Sequence, residues 1–192
     1  MSLRVSSNTF SPAPEGTHLA RCVRIIDLGL QNTVWGTKEQ VWIEFELVGQ
    51  PVEGANRNHS ISRFYTKSLS RKAALRADIE GWRGRSLSRE EAAGLDLVTV
   101  AARPCQITVA HVEKDGVTRA EIRGISALPR GLEVPAASVP LFIFDMDSRD
   151  KHALDDLPDW LRDIVLRAKE WETPPPKSAP ATPDFDDDIP FG

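Results

Sequence analysis

The stretch VWIEFELV, which runs from Val41 to Val48, decides the predicted fold because its side chains alternate in character. Successive residues of a β-strand point to opposite faces, so every second residue lies on the same face. The apolar face that we expect to meet a core consists of Val41, Ile43, Phe45 and Leu47. This period of two predicts a β-strand that lies against a hydrophobic core on one side.

Further elements are predicted on both sides of this strand. Residues His18–Gln31 before it and His59–Thr66 after it are also predicted to be strands. The period then changes, since Ser70–Gly84 carries apolar residues at helical spacing, with Ser70 at the predicted N-cap. A second short helix is predicted at Ser88–Gly94, where the sequence begins with a capping-box pattern.

The last predicted elements of this region are two strands joined by a hairpin. The dipeptide Asp115-Gly116 lies between two strand-like runs and favours a tight turn. The resulting order is strand, strand, strand, helix, strand, strand. It matches a mainly β fold, the OB-fold, which is a five-stranded Greek-key barrel with one helix between strands 3 and 4. Another small β-barrel and an open α+β sheet are the alternatives. The predicted OB-fold covers residues 18–130 and follows an N-terminal arm of residues 1–17.

The remainder of the chain is predicted to form three segments. Residues 131–172 are a C-terminal extension that contains an amphipathic helix at Leu157–Glu172. This helix either docks on the barrel of its own chain or offers a surface to a partner. Residues 173–183 form a proline-rich linker, which we expect to be extended and disordered. Residues 184–192 form an acidic tip.

Charge is unevenly distributed along the 192 residues, although the net charge is only −4. Residues 1–130 carry a net charge of +4, and residues 131–192 carry −8. Within the first part, Gly54–Ala77 contains six lysines and arginines and no acidic residue. This asymmetry indicates that the two parts of the chain face different partners.

The acid-free stretch predicts a surface for single-stranded nucleic acid. Cations follow the phosphates of such a strand, and flat aromatic rings stack on its unpaired bases. We expect Tyr65 to point outward and Phe64 inward, while Trp42 is either an outward platform or packed under the C-terminal helix. The predicted DNA-binding residues are Trp35, Trp42, Arg57, Arg63, Tyr65, Lys67, Arg71 and Lys72.

The sequence offers no pattern of a catalytic or metal site. The four histidines are scattered, and no zinc spacing, nucleophile elbow or Walker loop is present. We therefore expect a protein that is not an enzyme, with no catalytic residues, cofactor or metal. Two isolated cysteines and the lack of a secretory or membrane-spanning apolar run indicate a cytoplasmic protein.

The last nine residues, DFDDDIPFG from Asp184 to Gly192, resemble the C-terminal tip of bacterial single-stranded DNA-binding proteins, the SSB family. In that family an acidic tip follows a disordered linker and docks on replication, recombination and repair proteins. The resemblance implies that acidic and apolar side chains of the tip bind such partners. The implied partner-binding residues are Asp184, Phe185, Asp186, Asp187, Asp188, Ile189, Pro190 and Phe191. The family ends on the phenylalanine, whereas Gly192 follows it here.

These observations predict a largely sequence-independent, single-stranded DNA-binding protein that acts in DNA replication, recombination or repair. The divergent OB-like part is similar to SSB-type proteins of bacteriophages, which implies action in the cytoplasm of a bacterial host. One alternative is an SSB mimic that occupies the pockets of SSB partners without binding DNA. Another is an OB module that binds structured RNA or duplex DNA. No membrane partner is expected. The sequence leaves the oligomeric state open, and a homo-oligomer is one of the possible states.

Overall fold

The computed structural model describes residues 11–34 and 36–172, which form six β-strands and five α-helices. The strands are β1 Gly16–Thr33, β2 Gly36–Pro51, β3 Asn58–Thr66, β4 Cys105–Lys114, β5 Val117–Ser126 and β6 Phe142–Phe144. The helices are α1 Ala74–Arg83, α2 Arg89–Ala93, α3 Leu97–Ala101, α4 Lys151–Asp155 and α5 Asp159–Leu166, followed by a 3₁₀-helix at Lys169–Glu172. The fold is thus mainly β.

The strands form one sheet in the order β3-β2-β1-β4-β5, with all neighbours antiparallel, and β6 pairs in parallel with β1. The long strand β1 pairs with two strands along the same edge. Its first residues pair with β4, and its later residues pair with β6. Its pairing with β2 shifts between Cys22 and Arg24 and again between Asp27 and Gly29. Such bulges bend and twist a strand, which lets β1 change partners along its length.

The second shift lies at a position that only glycine fits. Gly29 has φ 64°, a left-handed conformation that residues with a Cβ atom rarely adopt. A Cβ atom there would lie 2.8 Å from the carboxylate of Glu170 and 2.9 Å from Met146. That carboxylate accepts a hydrogen bond of 2.9 Å from the backbone N–H of Leu30. The glycine therefore lets the C-terminal part of the chain approach β1 closely.

The two ends of the sheet, β3 and β5, approach each other. Among the described strands, no ladder joins them. Pro12 and Ala13 line the crevice between these two strands. The carbonyl oxygen of Ala13 lies 2.8 Å from Nε2 of His111, and the carboxylate of Glu15 accepts a 2.7 Å bond from the backbone N–H of His111. The segment before β1 is thus fixed at the open side of the sheet.

A hydrophobic core lies between the inner face of the sheet and α1. The predicted inner face of β2 is confirmed, since Val41, Ile43, Phe45 and Leu47 are all buried. Helix α1 closes this core, with the ring of Trp82 at 5.0 Å from that of Phe45. Burying a side chain of this size stabilises a fold by about 1.5–3 kcal/mol.

A second hydrophobic cluster lies on the opposite face of β1 and β2. Ile26 and Trp42 of the sheet pack against Phe144, Leu161 and Val165 of the C-terminal part. The sequence predicts that the C-terminal helix either docks on its own chain or offers a surface to a partner. The structure supports docking, because α5 packs on the sheet of its own chain. The helix itself is shorter than predicted, since α5 ends at Leu166.

A buried carboxylate fixes the start of the C-terminal part to the same face. Glu46 is buried, and its oxygens accept bonds from the backbone N–H of Ser138 at 2.9 Å and from the side chain of Asn58 at 2.7 Å. Hydrogen bonds of this kind offset the cost of burying the carboxylate.

Among the described residues, no helix is both long and apolar enough to cross a membrane.

Candidate nucleic-acid interface

An open groove of about 740 Å³ lies where the start of β2, the end of β3 and the connection to α1 meet. Its lining combines cations with serines, a threonine and two aromatic residues. The charged residues of the lining are Lys38, Glu39, Arg63, Lys67 and Lys72. Four positive side chains against one negative make this groove a candidate site for an anionic polymer.

The pairing of β2 with β3 builds the groove. Gln40 lies opposite Thr66, the last residue of β3. One residue further, the backbone N–H of Lys67 donates a 2.8 Å hydrogen bond to the carbonyl oxygen of Glu39. This register brings Lys38, which is distant in sequence, beside the cations that follow β3.

The structure brings together some of the predicted cations and separates others. Arg63, Lys67 and Lys72 line the groove, and Arg71 is exposed next to Lys72. Arg57 lies before β3, at the end of the strand that is remote from the groove. The nine residues of β3 separate the two ends by about 30 Å. Arg57 therefore lies outside the groove, and a DNA strand would have to follow β3 to reach it.

Two of the groove cations are already paired. Nη1 of Arg63 lies 3.1 Å from Oδ2 of Asp78, and Nζ of Lys67 is paired with Asp27. Burial disfavours the charged form of Lys67, but the hydrogen bond and the charge of Asp27 outweigh it and raise the pKa of Lys67. Lys67 therefore stays positive at neutral pH. The carboxylates of Asp78 and Asp27 balance part of the charge of Arg63 and Lys67 inside the protein.

The other cations of this region are more available to a ligand. In the described part of the chain, no ion pair involves Lys38, Arg71 or Lys72. All three side chains are exposed. We therefore regard these three as the strongest candidates for phosphate contacts. The sequence did not single out Lys38, because it lies outside the acid-free stretch and enters the groove only through the strand register.

The prediction for Tyr65 is wrong, because this side chain points into the core. Tyr65 is buried opposite Val41, and its hydroxyl donates a 2.8 Å hydrogen bond to Oδ2 of Asp78. That acceptor on α1 satisfies the phenol inside the protein, so the ring is stable there. Burial, and then the charge of Asp78, raise the pKa of Tyr65. Phe64, which was predicted to point inward, is the exposed member of the pair.

Trp42 points away from the inner core, as the alternation predicts, but it is not an exposed stacking platform. The second hydrophobic cluster buries it, and its ring meets that of Trp160 edge to face at 5.6 Å. The alternative role, packing under the C-terminal helix, is therefore the one the structure supports. The position of Trp42 in its strand predicts only the face of the sheet on which it lies. That α5 covers this face depends on packing between distant parts of the chain.

The sequence does not predict two neighbouring exposed aromatic residues, Phe64 in the lining of the groove and Trp160 beside it. The side chains of Phe64 and Trp160 are 47% and 50% exposed, and their ring centroids lie 6.4 Å apart. Phe64 also lines the groove. The alternation of β3 indicates that Phe64 and Tyr65 point to opposite faces, but the prediction from the sequence places Phe64 on the inner face and not on the outer one. For Trp160 the amphipathic pattern of the helix predicted packing, and only the structure reveals the exposed part of the ring.

The two cysteines do not form part of this site. Cys22 and Cys105 are both buried in the inner core, and burial raises the pKa of Cys22 to about 12. A thiol in this state is a poor nucleophile and a poor metal ligand, since the thiolate is the reactive form. In residues 11–34 and 36–172, no three histidine, cysteine or acidic side chains converge as a metal site would require.

Some predicted features lie outside the described residues. These are Trp35, residues 1–10 of the predicted arm, the linker at 173–183 and the tip at 184–192 with its eight predicted partner-binding residues. Their roles stay predictions from the sequence.

Comparison with known proteins does not assign the chain to a family. A scan of protein-family models finds no match to the sequence, and a search of the curated proteins finds none either. The function therefore has to be argued from the groove and its side chains.

Proposed function

We propose that the chain is a non-enzymatic, largely sequence-independent single-stranded DNA-binding protein whose groove at the end of β3 holds the strand. The observation that carries the proposal is the meeting of four cations, Lys38, Arg63, Lys67 and Lys72, with the exposed ring of Phe64 in one open groove. Cations that follow phosphates beside rings that accept bases are the combination that single-stranded nucleic acid requires.

An OB-fold is the architecture that we propose for the sheet. The strand order β3-β2-β1-β4-β5, the position of α1 between β3 and β4, and the approach of β3 to β5 support it. In this fold the face of strands 2 and 3 and two adjoining loops form the ligand surface. The groove described above adjoins β2 and β3, in agreement with that arrangement.

The groove favours a single strand of any sequence over a duplex. Its cations contact phosphates, which carry no sequence information. Its exposed ring can stack only on a base that is not paired within a duplex, and every base offers a face for stacking. We propose that such a protein protects or organises single strands during replication, recombination or repair.

The acidic tip is proposed to recruit partner proteins. This part of the proposal is supported by the sequence Asp184–Phe191 and its resemblance to SSB tips. The apolar Ile189, Pro190 and Phe191 would anchor in a pocket, and the aspartates would speed the encounter with a basic rim. The same resemblance supports action in the bacterial cytoplasm, for a chromosomal or a phage protein.

Binding of the full chain to a labelled oligothymidylate, with unlabelled single-stranded or duplex DNA as competitor, tests the proposed function. We expect binding that weakens steeply with salt, because phosphate contacts release counterions, and competition by single strands far below the concentration at which duplex competes. Absence of binding at low salt would overturn the proposal and would leave the SSB mimic as the alternative. Equal competition by duplex DNA would overturn it in favour of a duplex-binding protein.

A further inference from the structure

Phe64 and Trp160 form a pair of exposed rings at the edge of the groove, although they belong to distant parts of the chain. Phe64 lies on the outer face of β3, directly opposite Trp42 of β2. Trp160 lies at the start of α5, and its ring contacts both Trp42 and Phe64. The predicted C-terminal extension thus reaches the proposed DNA site.

The exposure of these rings distinguishes them from the remaining aromatic residues of β2 and β3. Phe45, Tyr65 and Trp42 are each at most 3% exposed, whereas Phe64 and Trp160 are about half exposed. A single exposed apolar side chain is ordinary on a protein surface. Two neighbouring aromatic rings beside a row of cations are not explained by packing alone, and they match the needs of a nucleobase.

The charges around the pair give a bound strand an orientation. Lys38 and Lys72 lie on the groove side, whereas on α5 Asp159 is paired with Arg162 at 2.6 Å and Asp163 is exposed. Phosphates are therefore attracted to the groove side and not to α5. The backbone of a strand would therefore follow the groove, with a base turned toward Trp160.

The platform is held in place before any ligand binds. The ring of Trp160 meets the buried ring of Trp42 in a T-shaped contact, and the next residue, Leu161, is fully buried. The side chain of Gln31 on β1 also donates a 2.9 Å hydrogen bond to the carbonyl oxygen of Ile164 on α5. Rings that are already fixed lose little conformational freedom on binding, which favours affinity.

We infer that Phe64 and Trp160 form a base-stacking platform, so that the C-terminal extension supplies part of the DNA site as well as covering the sheet. This inference rests on the proposed function. It assigns the stacking role to two residues other than the three aromatics predicted from the sequence.

The test is the affinity of full-length variants for an oligothymidylate, measured by anisotropy. Trp160→Ala and Phe64→Ala should each weaken binding about 5- to 150-fold, the range expected when stacking on one base is lost. Trp160→Phe keeps an aromatic ring and should retain most of the affinity. Leu166→Ala is the matched control, because Leu166 is 47% exposed on another face of the same helix. It should bind like the wild type.

A second measurement does not depend on the folding of any variant. Ultraviolet cross-linking of the wild-type chain to oligothymidylate, followed by peptide mass spectrometry, should place adducts on Phe64 or Trp160. Wild-type binding that is unchanged in both alanine variants, with cross-links elsewhere, would overturn the platform and leave the proposed function standing. A wild-type chain that does not bind oligothymidylate would overturn both.

Discussion

The hydroxyl of Tyr65 donates a 2.8 Å hydrogen bond to Oδ2 of Asp78, and the same oxygen pairs with Arg63 at 3.1 Å. This contact ties the inner face of β3 to α1 across the core. It also decides which side chains of β3 face the solvent, because a buried Tyr65 turns Phe64 toward the groove. A structural tyrosine thus sets the position of a proposed functional phenylalanine.

Tyr65→Phe should lower stability without lowering DNA affinity. The variant keeps the buried ring but leaves Asp78 without one of its donors, which should cost about 1–3 kcal/mol. Urea denaturation measures the loss, and titration with oligothymidylate should give the wild-type affinity. Ser62→Ala, on the exposed face of the same strand, is the control and should change neither quantity. A large loss of affinity in folded Tyr65→Phe would instead return Tyr65 to the DNA site.

The pH dependence of Tyr65 can be followed directly, because it is the only tyrosine of the chain. Burial, and then the charge of Asp78, raise its folded pKa above the ordinary value of 10.0. A raised folded pKa means that the contribution to stability is complete below pH 10 and is lost as the pH rises further. We expect no tyrosinate absorbance from the native chain near pH 10, and a sharp appearance only when the protein unfolds. Gradual ionisation centred on pH 10 in the native state would contradict the buried hydrogen bond.

The phosphate contacts should be visible in the salt dependence of binding. Each contact to a single strand contributes about 0.7 to the slope of log affinity against log salt, so Lys38→Ala with Lys72→Ala should reduce the slope by about 1.4. Affinity should fall evenly for oligonucleotides of different base composition. The control is the pair Arg89→Ala and Arg103→Ala, which removes the same charge from two exposed arginines outside the groove. An equal change of slope in both double variants would mean that net charge, and not this groove, governs binding.

Local patterns predicted much of the fold. The alternation from Val41 to Val48 predicted the inner face of β2, and the dipeptide Asp115-Gly116 lies between β4 and β5, as expected. Ser88 accepts a hydrogen bond from the backbone N–H of Glu91 and completes the predicted capping box. Each of these features is decided by residues that are neighbours in the sequence.

The errors come from contacts between distant residues. Alternation required Phe64 and Tyr65 to face opposite ways, but the choice between them depends on Asp78, which the sequence places on a different element. Trp42 is covered by α5, more than a hundred residues further along the chain. Helix α1 begins at Ala74 and not after Ser70, because the Ser70 carbonyl accepts from the N–H of Ala73 in a turn. The candidate site therefore needed the structure, whereas the class of fold did not.

The acidic tip should affect partner binding far more than DNA binding. We expect the negative charge of Asp184–Gly192 to compete with DNA for the basic groove, so its deletion should leave DNA affinity equal or raise it modestly, most visibly at low salt where screening is weak. The same deletion should abolish binding to a purified bacterial protein that recognises SSB tips. Phe191→Ala should do so nearly as well, because a buried aromatic anchor usually dominates such an interface.

The residue after the anchor offers a sharper test of the tip. If partners require Phe191 to carry the terminal carboxylate, deletion of Gly192 should strengthen partner binding. Thr182→Ala in the linker is the control and should leave partner binding unchanged. Calorimetric titration of the partner with the full-length chain and each variant measures these effects. Equal affinity for the wild type, the Phe191→Ala variant and the tip deletion would make the tail a solubilising appendage, and the proposed recruitment of partners would then be wrong.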